Sequence, residues 1–175
     1  MWYAARAGGG ALDATDAIVR CQKPPLGGAG AAGGIVRAVY LLDTNIVSEP
    51  ARPQPDSEVV RRLREYDGLV CMPAIVWHEL LYGLARLPDG VNRRRVGSYL
   101  YDVVSPSIPV VEYDATAASI HASMRADAES RGASLGFAGG AIAGVARANN
   151  LVLVTRNTAD FSVIPDLYVE DWFAG

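Results

Sequence analysis

Two predicted strands lead directly into side chains that could do chemistry. The apolar run 39–42 is followed by Asp43, Thr44 and Asn45, and a run apolar at every position predicts a strand buried on both faces. The run 151–154 predicts a second buried strand, and the polar segment 155–161 follows it. Because the carboxyl ends of parallel strands meet at one edge of a sheet, we expect Asp43 and this segment to lie close together.

Glu79 is a second acid in an unusual setting. It falls in a predicted helix over residues 74–86, with Ile75 and Val76 one turn before it and Tyr82 one turn after. A carboxylate in an apolar stripe is costly unless a donor or cation compensates its charge. The alternative is that the side chain extends to the edge of the helix and is solvated.

The segment 155–161 contributes two further oxygen-bearing side chains, Asn157 and Asp160. Together with Asp43 and Glu79 they outline an oxygen-rich pocket, which suits Mg²⁺ or Mn²⁺ better than zinc. A hard divalent ion can activate water and neutralise a phosphate during in-line displacement. Structural alternatives stay open, since Asp43 could cap the following turn and the later segment could be an Asx-turn.

Other catalytic patterns are missing from the sequence. His78 and Glu79 do not extend into a zinc motif, because Tyr82 stands where the second histidine would be. His121 falls on the apolar stripe of a predicted helix, which favours a packed core histidine over a ligand. The chain has no P-loop, no dinucleotide-binding glycine pattern and no serine-hydrolase elbow.

Strands alternate with helices from residue 39 onwards, which predicts an α/β fold. The expected strands are 39–42, 69–72, 108–111 and 151–154, with an edge strand at 167–169. The expected helices run from the N-cap Asp56 to 65, over 74–86 and 91–104, from the N-cap Asp114 to 130, and from the glycine-rich segment 135–140 to about 149. We expect a three-layer sandwich with a mainly parallel central sheet.

The predicted domain covers residues 38–175 and is preceded by a different kind of segment. Residues 1–37 are rich in glycine and alanine without periodicity, so we expect disorder, or an extension that is not translated if the cell starts at Val39. Cys21 and Cys71 form neither a metal pattern nor a disulfide framework, which predicts a cytoplasmic protein. No apolar run reaches the roughly 20 residues that a membrane span needs, so we expect no membrane partner.

Three motifs in order make the chain similar to the PIN-domain family, specifically the VapC/FitB-type toxins of bacterial toxin–antitoxin pairs. They are Leu42-Asp-Thr-Asn-Ile-Val-Ser-Glu-Pro50, Glu79-Leu-Leu-Tyr-Gly83 and Thr155-Arg-Asn-Thr-Ala-Asp-Phe161, within a likeness over about residues 39–172. The resemblance implies a Mg²⁺-dependent endoribonuclease that cuts structured RNA such as tRNA or rRNA. It also implies a VapB-like antitoxin partner and a homodimer.

The resemblance also implies roles for residues of this chain. It assigns the metal site to four oxygen-bearing side chains, of which the three acids would be catalytic: Asp43, Glu79, Asn157 and Asp160. Thr44 and Thr155 match the polar residues that support this cluster. The net charge of −3 argues against bulk electrostatic binding of nucleic acid, so RNA contact would need a local patch. Arg93, Arg94 and Arg95 are such a patch, for which an ordinary solvated helix face is the alternative.

Gly139 departs from the family pattern. The third family acid lies in a motif like Phe-Ala-Asp-Gly-x-Ile-Ala, and this chain has Phe137-Ala-Gly-Gly-Ala-Ile-Ala143. Because Mg²⁺ depends on carboxylates for its few protein contacts, we predict a PIN fold with impaired nuclease activity. The alternative function is a catalytically inactive toxin homologue that binds the antitoxin. A metal-dependent phosphatase or DNA nuclease on a related scaffold is a third hypothesis.

Overall fold

A computed structural model describes residues 38–173, so the predictions for residues 1–37 lie outside the described residues. Within the described residues, five strands form one sheet in the order β3-β2-β1-β4-β5, with helices on both faces. The strands are β1 (Tyr40–Leu42), β2 (Val70–Pro73), β3 (Val110–Val111), β4 (Val152–Val154) and β5 (Val169–Glu170). All four pairings between them are parallel, which confirms the predicted α/β sandwich.

Helices connect the strands and cover the sheet. They are α1 (Thr44–Val47), α2 (Ser57–Glu65), α3 (Ala74–Arg86), α4 (Val91–Ser98), α5 (Ser105–Ser107), α6 (Ala115–Ser130), α7 (Phe137–Asn149) and α8 (Thr158–Phe161). Both predicted N-caps are confirmed: Asp56 accepts hydrogen bonds from the N–H groups of Glu58 and Val59, and Asp114 accepts one from Ala117. Each satisfies backbone donors that the first helical turn leaves without a partner.

Several predicted boundaries were wrong, including strand ends by one or two residues. The helix expected to end at residue 104 continues through a π-helical turn (Tyr99–Val104) into α5, which keeps Leu100 and Val104 buried. The glycine-rich segment is already helical from Phe137. The edge strand begins two residues later than expected and ends one residue later, because the pairing with β4 matches Leu153 to Val169.

Helices α6 and α7 pack closely because two positions of α7 lack a side chain. A Cβ built on Gly140 would lie 2.2 Å from Nε2 of His121, and one built on Gly144 would lie 2.7 Å from the carbonyl oxygen of Ala117. His121 is only 4% exposed and its Nδ1 shares a hydrogen bond with the hydroxyl of Tyr113. The prediction of a core histidine is therefore confirmed.

The core surrounds β1, whose Leu41 and Leu42 are fully buried. The rings of Tyr40, Tyr66 and Trp172 form a cluster with centroids 4.7 to 5.5 Å apart, which attaches the C-terminal segment to β1 and α2. Among residues 38–173, no helix combines the length and the apolar character needed to cross a membrane.

Candidate functional site

The site forms where the carboxyl ends of β1 and β4 lie side by side. Asp43 follows β1 directly and Thr155 follows β4, and the N–H of Asp43 donates to the carbonyl of Val154 at 3.0 Å. Asp43 is 8% exposed and Thr155 is fully buried. The prediction that Asp43 and the 155–161 segment meet at one edge of the sheet is confirmed at these residues.

Three donors fix the carboxylate of Asp43. The hydroxyl of Thr155 donates to Oδ2 at 2.6 Å, and the amide of Asn45 donates to the same oxygen at 2.8 Å. The N–H of Thr44 donates to Oδ1 at 2.7 Å at the start of α1. Asp43 therefore caps this short helix, which confirms the structural alternative, and it also contacts the loop after β4. Its role as a metal ligand and catalytic residue stays a prediction.

Asn45 is a member of the site to which the sequence analysis assigned no role, although it named the residue after β1. Its amide nitrogen also lies 3.1 Å from the hydroxyl oxygen of Thr155, and its Oδ1 accepts the N–H of Arg156 at 3.1 Å. One side chain thus connects the loop after β1 to the loop after β4. The amide in Asp-Thr-Asn was visible in the sequence, but as a turn residue it gave no indication of a partner 110 residues away.

Thr44 brings Glu79 into the same site. Its hydroxyl donates to Oε2 of Glu79, which connects α1 to α3. Glu79 is half-buried, with buried Val76 one turn before it. The prediction that Glu79 lies in an apolar stripe is wrong on its C-terminal side, because Tyr82 is 57% exposed. Glu79 therefore lies at the border between core and solvent, where a hydrogen bond to Thr44 replaces part of its hydration.

Asn157 and Asp160 follow β4 and are exposed to solvent. The N–H of Asn157 donates to the hydroxyl of Thr155 at 3.0 Å, while its side chain makes no cap for α8. Asp160 is exposed on α8. Across the part of the chain that the structure describes, no three His, Cys, Asp or Glu side chains are grouped so that they could hold a metal ion. Asp160 is thus not grouped with Asp43 and Glu79 as a third acid, and metal-ligand roles for it and Asn157 stay predictions.

Gly139 is half-buried in the first turn of α7. A Cβ at this position would lie 3.8 Å from the ring of Phe161 in α8, which is an ordinary contact distance. Packing therefore does not require glycine here, in contrast to Gly140. That Gly139 occupies the position of a lost acid stays a prediction.

Glu49 is a buried acid with a structural role. It is 3% exposed, its Oε1 accepts the N–H of Asp56 at 2.9 Å, and its Oε2 lies 3.0 Å from Nε of Arg52. The second contact is close enough for an ion pair but is not aligned as a hydrogen bond. Glu49 therefore holds the loop before α2.

The three arginines predicted to contact RNA lie on α4. Arg93 pairs with Asp89 at 3.0 Å, and Arg95 donates to Asn92 at 3.1 Å. Arg93 and Arg94 line a cavity of about 580 Å³ between α3 and α4. An exposed pair such as Arg93–Asp89 contributes little to stability, so these guanidinium groups can exchange partners. Their role in RNA binding stays a prediction.

Comparison with known proteins places this chain in a family. The chain is 35% identical over 129 residues to the toxin FitB of Neisseria gonorrhoeae, an alignment that covers 70% of this chain and 91% of FitB. It is 33% identical over 135 residues to the tRNA(fMet)-specific endonuclease VapC of Shigella flexneri, covering 76% and 97%. The crystal structure of FitAcB from Neisseria gonorrhoeae matches with a TM-score of 0.71 and 32% identity, over 78% of this chain and all of that one. The family model described as PIN domain matches residues 40–167, and with this sheet and these relatives the chain belongs to the PIN-domain family.

Proposed function

We propose that this chain is the toxin component of a type II toxin–antitoxin system and a metal-dependent endoribonuclease of reduced activity. The observation that carries the proposal is the connection of Asp43, Thr44 and Glu79 at the carboxyl edge of the sheet. Two acids from separate elements converge there, and ligands in open α/β sheets bind at this edge. The relatives named as a toxin and an endonuclease support the reaction class.

The donor set fits a hard divalent ion. Mg²⁺ is commonly held by one or two protein carboxylates, with water and substrate phosphate completing its coordination. Asp43 and Glu79 supply two carboxylates, and among residues 38–173 the hydrogen bond to the Glu79 side chain comes from Thr44 and engages Oε2. We therefore assign the ion, Mg²⁺ or Mn²⁺, to these two acids, with Asn157 and Asp160 as additional candidates. When bound, such an ion neutralises phosphate charge and activates water.

The residues around the two acids hold them in position. Thr155 and Asn45 fix one oxygen of Asp43, and Thr44 fixes one oxygen of Glu79. Because these donors already hold both carboxylates, the acids need little rearrangement when a metal ion or a phosphate enters the site. These side chains therefore position the acids for a phosphodiester and need not react themselves.

A second candidate function is an inactive toxin homologue that binds the antitoxin. One observation favours it. Within residues 38–173, no further Asp, Glu, His or Cys lies close enough to Asp43 and Glu79 to form a three-residue metal site with them. In either case we propose a VapB-like antitoxin as partner and a homodimer as the assembly. Solved structures similar to this chain include FitAB bound to a DNA fragment, which supports the proposal of an antitoxin partner. A cytoplasmic location stays a prediction.

RNA cleavage by matched variants tests the proposal. The unmodified protein, Asp43→Asn, Gly139→Asp and Gly139→Asn are compared on tRNA and rRNA, with Mg²⁺, with Mn²⁺ and with EDTA. We expect slow metal-dependent cleavage by the unmodified protein and none by Asp43→Asn. Gly139→Asp should be faster by about tenfold or more, since even groups outside the metal ligands contribute that much. Gly139→Asn is matched in size, so it separates the effect of charge from that of filling space.

Two results would contradict this proposal. Equal rates for the unmodified protein and Gly139→Asp would show that position 139 does not replace a metal-site acid. Cleavage by Asp43→Asn at the unmodified rate would mean that Asp43 is not in the active site. If only Gly139→Asp cleaves, and the unmodified protein binds the antitoxin, the second candidate function is supported.

A further inference from the structure

Arg156 is a cation placed next to the Asp43 network, and its role is not explained by that network. Its N–H donates to Oδ1 of Asn45, whose amide donates to Asp43. Its guanidinium Cζ lies 4.9 Å from the ring centroid of Phe173, in the segment that follows β5. Since β5 is parallel to β4, Phe173 extends beyond the same edge of the sheet that carries Asp43. Arg156 is therefore held at the rim of the candidate site.

Glu170 and Asp171, which precede Phe173 in the C-terminal segment, do not neutralise Arg156. Glu170 accepts the indole N–H of Trp172 at 3.0 Å and lies 3.9 Å from Arg62, while Asp171 accepts the N–H of Phe173. Within residues 38–173 Arg156 has no ion pair, and it is exposed. The guanidinium thus keeps all of its side-chain donors available while the face of Phe173 restricts where it can move.

We propose that Arg156 binds a backbone phosphate of the RNA beside the phosphodiester at Asp43 and Glu79, an inference that rests on the proposed function. Residues 38–175 carry 12 Arg and 17 Asp or Glu, a net charge of −5, so RNA approaching two carboxylates is repelled unless a cation meets it. A planar guanidinium binds phosphate through two parallel hydrogen bonds. Because Arg156 adjoins Thr155 and Asn45 in the site, that phosphate is held in register with the acids.

The competing explanation is structural, since Arg156 could serve only to attach the C-terminal segment through Phe173. The two roles respond differently to substitution. Phe173→Leu removes the ring but keeps the positive charge, so it weakens the attachment and leaves a phosphate contact in place. Arg156→Ala removes both, and Arg156→Lys keeps the charge without the paired donors.

Arg147 supplies a matched control. It lies in the last turn of α7, which leads into the amino end of β4 and therefore to the opposite edge of the sheet. Like Arg156 it makes no ion pair among the residues that the structure describes. Arg147→Ala thus removes the same charge at a place remote from the candidate site.

The test measures binding of a short fluorescein-labelled single-stranded RNA of mixed sequence in EDTA, over a series of salt concentrations. No cleavage occurs under these conditions, so the result does not depend on residual nuclease activity. Arg156→Ala should weaken binding by about tenfold at low salt, the loss expected for a charge-assisted hydrogen bond. It should also reduce the slope of log K against log salt by about 0.7, the value for one phosphate contact on a single strand.

Arg147→Ala and Phe173→Leu should keep the unmodified slope, and Arg156→Lys should keep most of it. An unchanged affinity and slope for Arg156→Ala overturns the proposal, while the comparison of Asp43→Asn and Gly139→Asp still decides the nuclease function. The proposal is equally overturned if Phe173→Leu loses as much binding as Arg156→Ala, or if the unmodified protein shows no salt-dependent binding.

Discussion

Gly139 and Gly140 are neighbours in α7, and replacing each with alanine should change stability in opposite directions. A Cβ at Gly139 would lie 3.8 Å from the ring of Phe161, whereas a Cβ at Gly140 would lie 2.2 Å from Nε2 and 2.5 Å from Cδ2 of His121. The first distance is an ordinary contact. The second is shorter than real side chains tolerate, so the imidazole would have to move.

The magnitudes follow from two opposing contributions. Alanine in place of glycine lowers the entropy cost of the helix, which should raise the free energy of unfolding of Gly139→Ala by about 0.5–1 kcal/mol. Gly140→Ala gains the same amount but must displace His121, which is buried and hydrogen-bonded to Tyr113. Overpacking of this kind costs about 1–3 kcal/mol, so after subtraction of the helix contribution we expect a net loss of up to about 2.5 kcal/mol.

Urea denaturation of both variants, and of each in a His121→Ala background, measures these differences. Without the imidazole, Gly140→Ala should become stabilising by about 0.5–1 kcal/mol, because only the helix contribution is left. This change of sign is specific to the contact with His121. If Gly140→Ala stabilised the unmodified background as much as Gly139→Ala does, the packing of α6 against α7 described above would be wrong.

Two further predictions concern buried polar groups. Thr155→Val removes the hydroxyl that donates to Asp43, so the free energy of unfolding measured in urea should fall by about 1–3 kcal/mol. Thr155→Ser keeps a hydroxyl and should lose clearly less. Equal losses for the two variants would contradict a hydrogen-bonding role. Burial, and after it the charge of Arg125, lowers the pKa of His121 from its ordinary value of 6.5. As pH falls below that value the unfolded chain takes up a proton before the folded one, so stability should decline from neutral pH down through the folded-state pKa. His121→Gln should lack this decline, and parallel pH profiles for the two proteins would contradict the prediction.

Elements that depend on neighbouring residues could be predicted from the sequence. The helix over 74–86 was predicted with its observed bounds, and Asp56 and Asp114 were identified as caps because they act on N–H groups two or three residues away. The strand ends and the edge strand were less well predicted, since pairing with another strand decides where they lie. Asp43 and Glu79 could be identified as unusual acids for the same reason, because the apolar residues next to them in the sequence set them apart. Their partners could not be identified in this way.

Taken by itself, the sequence determined the alternation of strands and helices and the types of residue at the ends of β1 and β4, because apolar periodicity and capping act over a few residues. Only the tertiary structure decided how those residues meet. Thr44 reaches Glu79 across 35 positions and Asn45 reaches Thr155 across 110, and no local pattern specifies such a partner. The two adjacent glycines of α7 also differ only in the fold, since the neighbouring helix places an imidazole against one of them and leaves room beside the other.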